Sequence, residues 1–577
     1  YLRPGVIADD ARLYRYQRYV FQEGNGLAYA NRRTAEDIKR RRPDVLALTD
    51  PYRAVAYGNL FPGLDLVGTW TYTNNDPKLM LYIETMRALT RGTAQQPLQT
   101  VTLLNYPGTL APRAVTGDSS TRQWFAENPQ HAGWVLMGPD RCKEVSWIIL
   151  SRAPKILGYY FSSACDPQKY GKPEDQFRVP HATSDAIKEL SDRVFQPYGG
   201  MLTRLDVARR RLAVLSSQAS RLHGSGHTAG YPNEQIYGLY SLLAMNHLDG
   251  DVLFDEHVAT GALKDYQVLF MPYCEAITET MFAEIRRFQE RGGLVVADPF
   301  LGADLPGALK VDFDLSYRKK VNADAIASGA MFAAWDDHLN PKTAALAEAK
   351  GVTAEDDQRI MESYARRLAG QLAGKVTPAV ALDTPKALVN VLEKHGVTYL
   401  VLVNDNRTYD ERTGQYKAIM EKLLPQTVTV TLREWTGPLF AYDLLERKPL
   451  PAEKRSDGLS LKAELGTLGG TILALYPVQP SALHIAVPEA VNRGDKAVLT
   501  VSLLDPAGGA LPGLQPLRVT VTDPKGADSE YSGYYCAEKG TLSLPFAPAL
   551  NDEVGAWKLA VADLTAGLTA ERALTVR

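Results

Sequence analysis

The strongest constraint on how this chain folds is the repeated alternation of short apolar runs with helical stretches in its first two hundred residues. The runs fall at residues 45–49, 64–70, 98–104 and 156–161, and they read as buried parallel strands. Between them, residues 34–42, 79–91 and 141–151 carry helical spacing, and Ser184 stands where it would cap a helix with Ile187, Leu190 and Val194 on one face. Strand, helix, strand order builds an α/β layer. In such layers the side chains that do chemistry stand just past the carboxyl ends of the strands. Those positions are Asp50, then Trp70 and Tyr72, then Asn105 and Tyr106, then Ser162 and Ser163.

A second α/β unit begins at Arg211, with strands at 212–215, 268–271 and 294–297. One helix follows Asn233 and lines up Ile236, Tyr240 and Leu243; another is capped by Thr278, turns Met281, Ile285 and Phe288 inward and stops at Gly292-Gly293. This unit reads as flavodoxin-like. A helix from Thr353 with Ile360, Tyr364, Leu368 and Leu372 on one stripe is assigned to it as an excursion. After Pro378 the text turns to strands at 399–403, 427–432 and 471–475, with Asn404-Asp405-Asn406 as a turn, and a β-sandwich is expected. From Ser481 the alternation sharpens through Leu483, Ile485 and Val487, Leu499, Val501 and Leu503, Val519 and Val521, and Trp557, Leu559 and Val561. Asp505-Pro506, Asp523-Pro524 and Asn551-Asp552 punctuate it, as in an immunoglobulin-like sandwich. The expected fold class is multidomain α/β plus all-β, with domains at 1–206, 207–376, 377–480 and 481–577.

Composition narrows the partners. At 577 residues the chain has room for about four domains. Its 64 Lys plus Arg against 66 Asp plus Glu give a formal charge of −2, too balanced to advertise nucleic acid, so neutral ligands come first. Four cysteines without a C-x-x-C pair exclude a disulfide scaffold, and no cofactor is expected. No apolar run reaches the roughly 18 residues of a spanning helix, so no membrane insertion is expected. The text opens at Tyr1 in a Pro/Gly turn, and the expectation is that a segment upstream has been removed.

Arg42-Pro43-Asp44-Val45, Leu64-Asp65-Leu66-Val67 and residues 155–161, in this order of units, resemble the carboxyl half of a (β/α)8 barrel in the glycoside-hydrolase clan that contains the family 42 β-galactosidases. Val268-Leu269-Phe270-Met271-Pro272 and Arg291-Gly292-Gly293-Leu294 resemble that family's amidotransferase-like trimerisation domain. The resemblance implies a partial barrel, a carbohydrate substrate and a homo-oligomer, a trimer or a dimer. The terminal sandwich resembles accessory modules of secreted proteins and implies an extracytoplasmic home. The departures are informative. The family's nucleophilic Glu aligns with Asn105, an Asp that precedes Tyr72 by two in the family is Trp70 here, and a family Trp is Ser163. The acid/base Glu belongs to a strand at or before Tyr1.

Asp50 and Glu23 are the candidate catalytic carboxylates, with Asn105 placed to hold a sugar hydroxyl or position water. Asp50 precedes Pro51 and also suits a turn; Glu23, in a glycine-flanked loop, also suits a solvated surface. Trp70, Tyr72, Tyr106 and Tyr159 or Tyr160 are candidate stacking residues, with Ser163 beside them; the alternative is core or rim aromatics. His223 and His227 flank a Gly-Ser-Gly loop with no third ligand near, so no metal site is expected. Two rivals stay open: a non-catalytic glycan-binding or scaffold protein, and an amidase or peptidase using Cys274, which lacks the glycines of a nucleophile elbow.

Overall fold

The computed structural model describes residues 5–49, 57–70, 76–102, 104–105, 135–160, 181–224, 236–313, 315, 354–414 and 417–577. The chain forms two compact units: residues 1–181, 209–378 and 407–422 make one, and residues 182–208, 379–406 and 423–577 make the other. The architecture is multidomain α/β plus all-β: a partial barrel sheet and a flavodoxin-like layer in the first unit, and antiparallel β-sandwiches in the second.

The first unit opens with strand β1 (Gly5–Ile7), helix α1 (Arg12–Arg18), a π-helical turn (Tyr19–Glu23) and helix α2 (Leu27–Arg41). The barrel sheet follows as β2 (Leu48–Thr49), β3 (Leu66–Trp70), helix α3 (Asp76–Thr90), β4 (Gln96–Thr102), a short pair β5 (Leu104–Asn105) and β6 (Val135–Leu136), helix α4 (Pro139–Leu150) and β7 (Ile156–Tyr160). Strands β2, β3, β4 and β7 are hydrogen-bonded in that order and parallel throughout. The apolar runs thus become strands within two residues of the expected ends, except that residues 45–47 precede β2 and are not part of it.

Helix α3 is apolar on nearly every side: Leu79, Met80, Leu81, Tyr82, Ile83, Met86 and Leu89 are all buried. It touches both β3 and β4 of the barrel sheet and a strand of the second layer, so it has no solvent face to spare. Glu84 sits in this helix, fully buried. Its carboxylate takes the Arg152 and Arg210 guanidinium groups, each at 2.6 Å, with Arg87 at 3.4 Å. Arg210 also meets Asp249, and Asp251 at 3.0 Å.

The chain leaves for the second unit through helices α5 (His181–Leu190) and α6 (Gln196–Leu202) and strand β8 (Asp206–Val207), then returns. Ser184 is the fourth residue of α5 and not its cap, because the helix starts three residues earlier; Leu190 and Val194 are buried as expected. This stretch belongs with the sandwiches and not, as the expected 1–206 boundary had it, with the barrel strands. Back in the first unit come β9 (Leu212–Ser216), α7 (Gln218–His223), α8 (Tyr237–Met245), β10 (Gly250–Phe254), α9 (Asp255–Ala259), β11 (Val268–Met271), β12 (Ala276–Thr278), α10 (Glu279–Glu290), β13 (Leu294–Ala297) and β14 (Leu309–Lys310). The five-stranded order β10-β9-β11-β13-β14 is parallel and flavodoxin-like. Thr278 caps α10 as its spacing predicts, accepting the Met281 amide. Helix α11 (Ala354–Leu372) buries Leu368 and Leu372 and meets α8, where Asn246 donates to the Ala365 carbonyl at 3.0 Å.

In the second unit, Leu400, Leu402, Val428, Val430, Leu461, Leu473 and Leu475 fill one sandwich. Leu499, Val501, Leu503, Val519, Val521, Trp557, Leu559 and Val561 fill the next. Both sets follow the two-residue period of the sequence.

Burial alone pushes the Glu84 carboxyl up, but Arg210, Arg87 and Arg152 pull harder and hold it at about 2, from an ordinary 4.5. A depressed carboxylate stabilises the fold above its unfolded value, so this contribution is complete above pH 4.5 and is lost as pH falls toward 2. Glu84→Gln strands buried guanidinium groups and should cost about 3–5 kcal/mol at pH 7 in urea unfolding, less at pH 3.

Candidate functional site

The register decides which side chains share a face. Trp70 lies opposite Thr100, and Thr100 opposite Gly158. Two residues along from Gly158, on the same face by the strand period, is Tyr160. The row therefore carries Leu66, Gly68 and Trp70 on β3, Leu98 and Thr100 on β4, and Ile156, Gly158 and Tyr160 on β7. At its carboxyl end the Trp70 and Tyr160 rings lie with centroids 4.7 Å apart and planes tilted by 33°. Tyr160 remains 38% exposed. Gly68 lower on the face is held small by its neighbours: a Cβ there would stand 3.1 Å from Leu98 and 3.3 Å from the Thr49 carbonyl oxygen.

Tyr159 points the other way. It shares its face with Val67, Thr69 and Val101, all buried under helices, and its hydroxyl meets Ser146 of α4 at 2.7 Å. Burial pushes its phenol well above the ordinary range. Of the two tyrosines left open by the sequence, Tyr160 is the one on the face of Trp70.

Glu23 is not brought to the strand tips. It ends the π-helical turn, half exposed, and pairs with Arg18 at 3.0 Å. Its neighbour Gln22 donates to the Gly58 carbonyl at 3.0 Å and to Glu256 at 2.6 Å. Next to Gly58, the Asn59 amide bonds Leu89 at the end of α3, and Gln95, just before β4, donates to the Phe61 carbonyl. These contacts fix residues 58–61 at the amino ends of the strands, opposite Trp70. The reason is non-local: β1 pairs in parallel with β12 of the second layer, Gly5 to Ala276 through Ile7 to Thr278, and draws the opening segment there. Asn105 closes β5 opposite Val135 of β6, next along the chain from the tip of β4. Asp50, Tyr72, Tyr106 and Ser163 lie outside the described residues, as does His227.

A second cluster gathers at the carboxyl ends of β9, β10 and β11. Asp255, directly after β10, accepts the Ala219 amide at 2.7 Å, and Ser217 and Tyr14 lie close to it. Ser220 donates to the Ala276 carbonyl at 2.6 Å and accepts the Ala276 amide at 3.1 Å. Strand-end position alone could have flagged Asp255 in the sequence; the nearness of Tyr14, 241 residues earlier in the chain, had no local signal. Burial pushes the Cys274 thiol well above its ordinary range, and the nearby Asp255 and Asp298 carboxylates add to this, so the thiolate a nucleophile needs is suppressed. The crevice is also closed over. The Gly5 amide bonds the Glu275 carbonyl at 2.7 Å and the Gly302 amide bonds that of Cys274 at 3.0 Å. A Cβ on Gly302 would stand 2.0 Å from the Glu275 carbonyl oxygen. The amidase reading gains nothing from this geometry.

No family model matches the chain, and no curated protein does. Among solved structures, α-L-fucosidase isoenzyme 2 from Paenibacillus thiaminolyticus is similar over 78% of this chain and 70% of its own, at 11% identity and a TM-score of 0.48. Gan42B, a GH42 β-galactosidase, is similar over 80% of this chain and 67% of its own, at 13% identity and a TM-score of 0.44. The exo-carrageenase GH42 from Bacteroides ovatus is similar over 78% of this chain and 55% of its own, at 10% identity and a TM-score of 0.38.

Burial pushes the Asp255 carboxyl up to about 6, from an ordinary 3.8. A raised carboxyl stabilises the fold in its protonated form, so its contribution is complete below pH 3.8 and lost as pH rises through about 6. Asp255→Asn holds the same place without a charge. Between pH 4 and 7 the wild type should lose about 2 kcal/mol of stability relative to this variant in denaturant titrations.

Proposed function

We propose that this chain binds a neutral poly- or oligosaccharide at the carboxyl ends of β2, β3, β4 and β7, in the manner of a glycoside hydrolase. The observation that carries the reading is the Trp70–Tyr160 pair, two rings 4.7 Å apart on the face of the sheet opposite Tyr159. A ring surface at such a mouth stacks on the apolar face of a pyranose and leaves the sugar hydroxyls to polar neighbours. In this reading Tyr72, Tyr106 and Ser163 supply further contacts, Asp50 acts as acid, base or hydroxyl acceptor, and Asn105 holds a hydroxyl or positions water. An amide forms no glycosyl ester, so hydrolysis here is inverting or substrate-assisted. The same amide favours a second reading, a non-catalytic glycan-binding or scaffold protein. We further propose an extracytoplasmic setting, from the terminal sandwich, and a homo-oligomer, from the amidotransferase-like layer.

Affinity electrophoresis against a panel of neutral glycans tests the site. Trp70→Ala and Tyr160→Ala should each weaken retention about tenfold, the scale of one lost aromatic stack, while Tyr159→Phe leaves it unchanged. Reducing-sugar release that disappears in Asp50→Asn identifies the hydrolase; retention without release identifies the scaffold. No retention by any neutral glycan would sink both readings.

A further inference from the structure

The opening helices carry a surface that neither the fold nor the barrel mouth uses. Residues 12–42 contain nine basic and three acidic side chains, a net charge of +6 in a chain whose total is −2. Helix α1 buries Tyr14 and exposes Arg12, Arg15 and Tyr16, with Tyr19 one turn on, an i, i+3, i+4, i+7 face turned to solvent. Helix α2 buries only Ala28 and Ala35 and exposes Tyr29, Arg32, Arg33 and Arg40. The π-helical turn between them packs against both.

Two independent properties coincide here. The first is unspent charge. Arg33 pairs with Glu36, Arg40 with Asp37 and Arg42 with Asp44, whereas Arg12, Arg15, Arg32 and Arg41 have no carboxylate partner among the described residues. The second is exposed aromatic area. Five aromatic side chains are strongly exposed among the described residues, and three of them are Tyr16 at 61%, Tyr19 at 57% and Tyr29 at 39%. Arg32 lies over the Tyr29 ring, its guanidinium carbon 5.8 Å from the centroid, an arrangement that steadies both groups. Hydrophobic burial does not account for tyrosines left in water, and pairing does not account for arginines left alone.

We propose that this face binds an anionic polysaccharide, its guanidinium forks taking carboxylate or sulfate groups and its tyrosines stacking on the sugar rings between them. It is separate from the mouth and anchors the protein on a charged polymer while the Trp70 and Tyr160 rings take a neutral chain. A membrane surface fits poorly, because the exposed aromatics are tyrosines with no apolar residue beside them to insert. The preference for a glycan over another polyanion rests on the proposed function of the mouth.

The test is affinity electrophoresis of the intact chain in gels containing polygalacturonate, dextran sulfate or uncharged dextran, at low and high salt. Retention is expected with the two anionic polymers only, and it should weaken as salt rises. Arg12→Gln combined with Arg15→Gln should weaken it roughly two- to tenfold per arginine. Tyr16→Ala combined with Tyr19→Ala should weaken it comparably, with unchanged circular dichroism in both. Trp70→Ala should leave it intact, which separates this surface from the mouth. Equal retention by uncharged dextran, wild-type retention in both double variants, loss of retention in Trp70→Ala, stronger retention by single-stranded DNA than by polygalacturonate, or self-association abolished by the same substitutions would each overturn the proposal.

Discussion

A single buried carboxylate ties together the two α/β layers of the first unit. Glu84 lies in a helix so apolar that both α/β layers use it as their common wall, and an isolated charge there would cost far more than the fold can spare. The cost is offset because Arg152, from the turn after α4, and Arg210, from the entry to the second layer, converge on it. Asp249 and Asp251 then balance the surplus positive charge at the end of Arg210. Each layer thus contributes a charge that is tolerable only when the other is in place. Contacts of this kind add little net stability over an apolar isostere but penalise every arrangement that leaves one member alone.

The two layers treat the carboxyl ends of their strands in opposite ways. In parallel sheets these ends are where ligands collect, since loops and helix termini leave polar groups there. In the flavodoxin-like layer the crevice is occupied by the protein itself: β1 adds to β12, Asp255 takes the Ala219 amide, and Gly302 lets the backbone close over Cys274. In the barrel sheet the corresponding end carries Trp70 and Tyr160 with a half-exposed ring. Chemistry that the cysteine suggests in isolation is suppressed by burial, while the aromatic pair keeps the Tyr160 ring partly exposed.

Strand positions were legible because a buried parallel strand must be a short apolar run, and the runs at β3, β7, β11 and β13 end within a residue or two of where hydrophobicity ends. The stripe on α11 was legible for the same reason, Leu368 and Leu372 being where a 3.6-residue period puts them. Ser184 misled because a capping residue is recognisable only if the helix starts beside it, and α5 starts at His181. Glu23 misled because its location follows from the pairing of β1 with a strand about 270 residues later in the chain, a contact that has no local trace.

By itself the sequence determined the kinds of layer, the order in which they occur and which short stretches bear candidate chemistry, because hydrophobic period and turn residues are local properties of the chain. Only the tertiary structure decided which of those stretches meet. The pleat of β7 sends Tyr160 to Trp70 and Tyr159 to Ser146, although the two tyrosines are adjacent and chemically identical. It turned a lone glutamate in an apolar helix into a hub, and closed a crevice that the sequence leaves open. Facing, pairing and burial are set by neighbours distant in sequence, and those neighbours fix both the electrostatics and the accessibility of each candidate group.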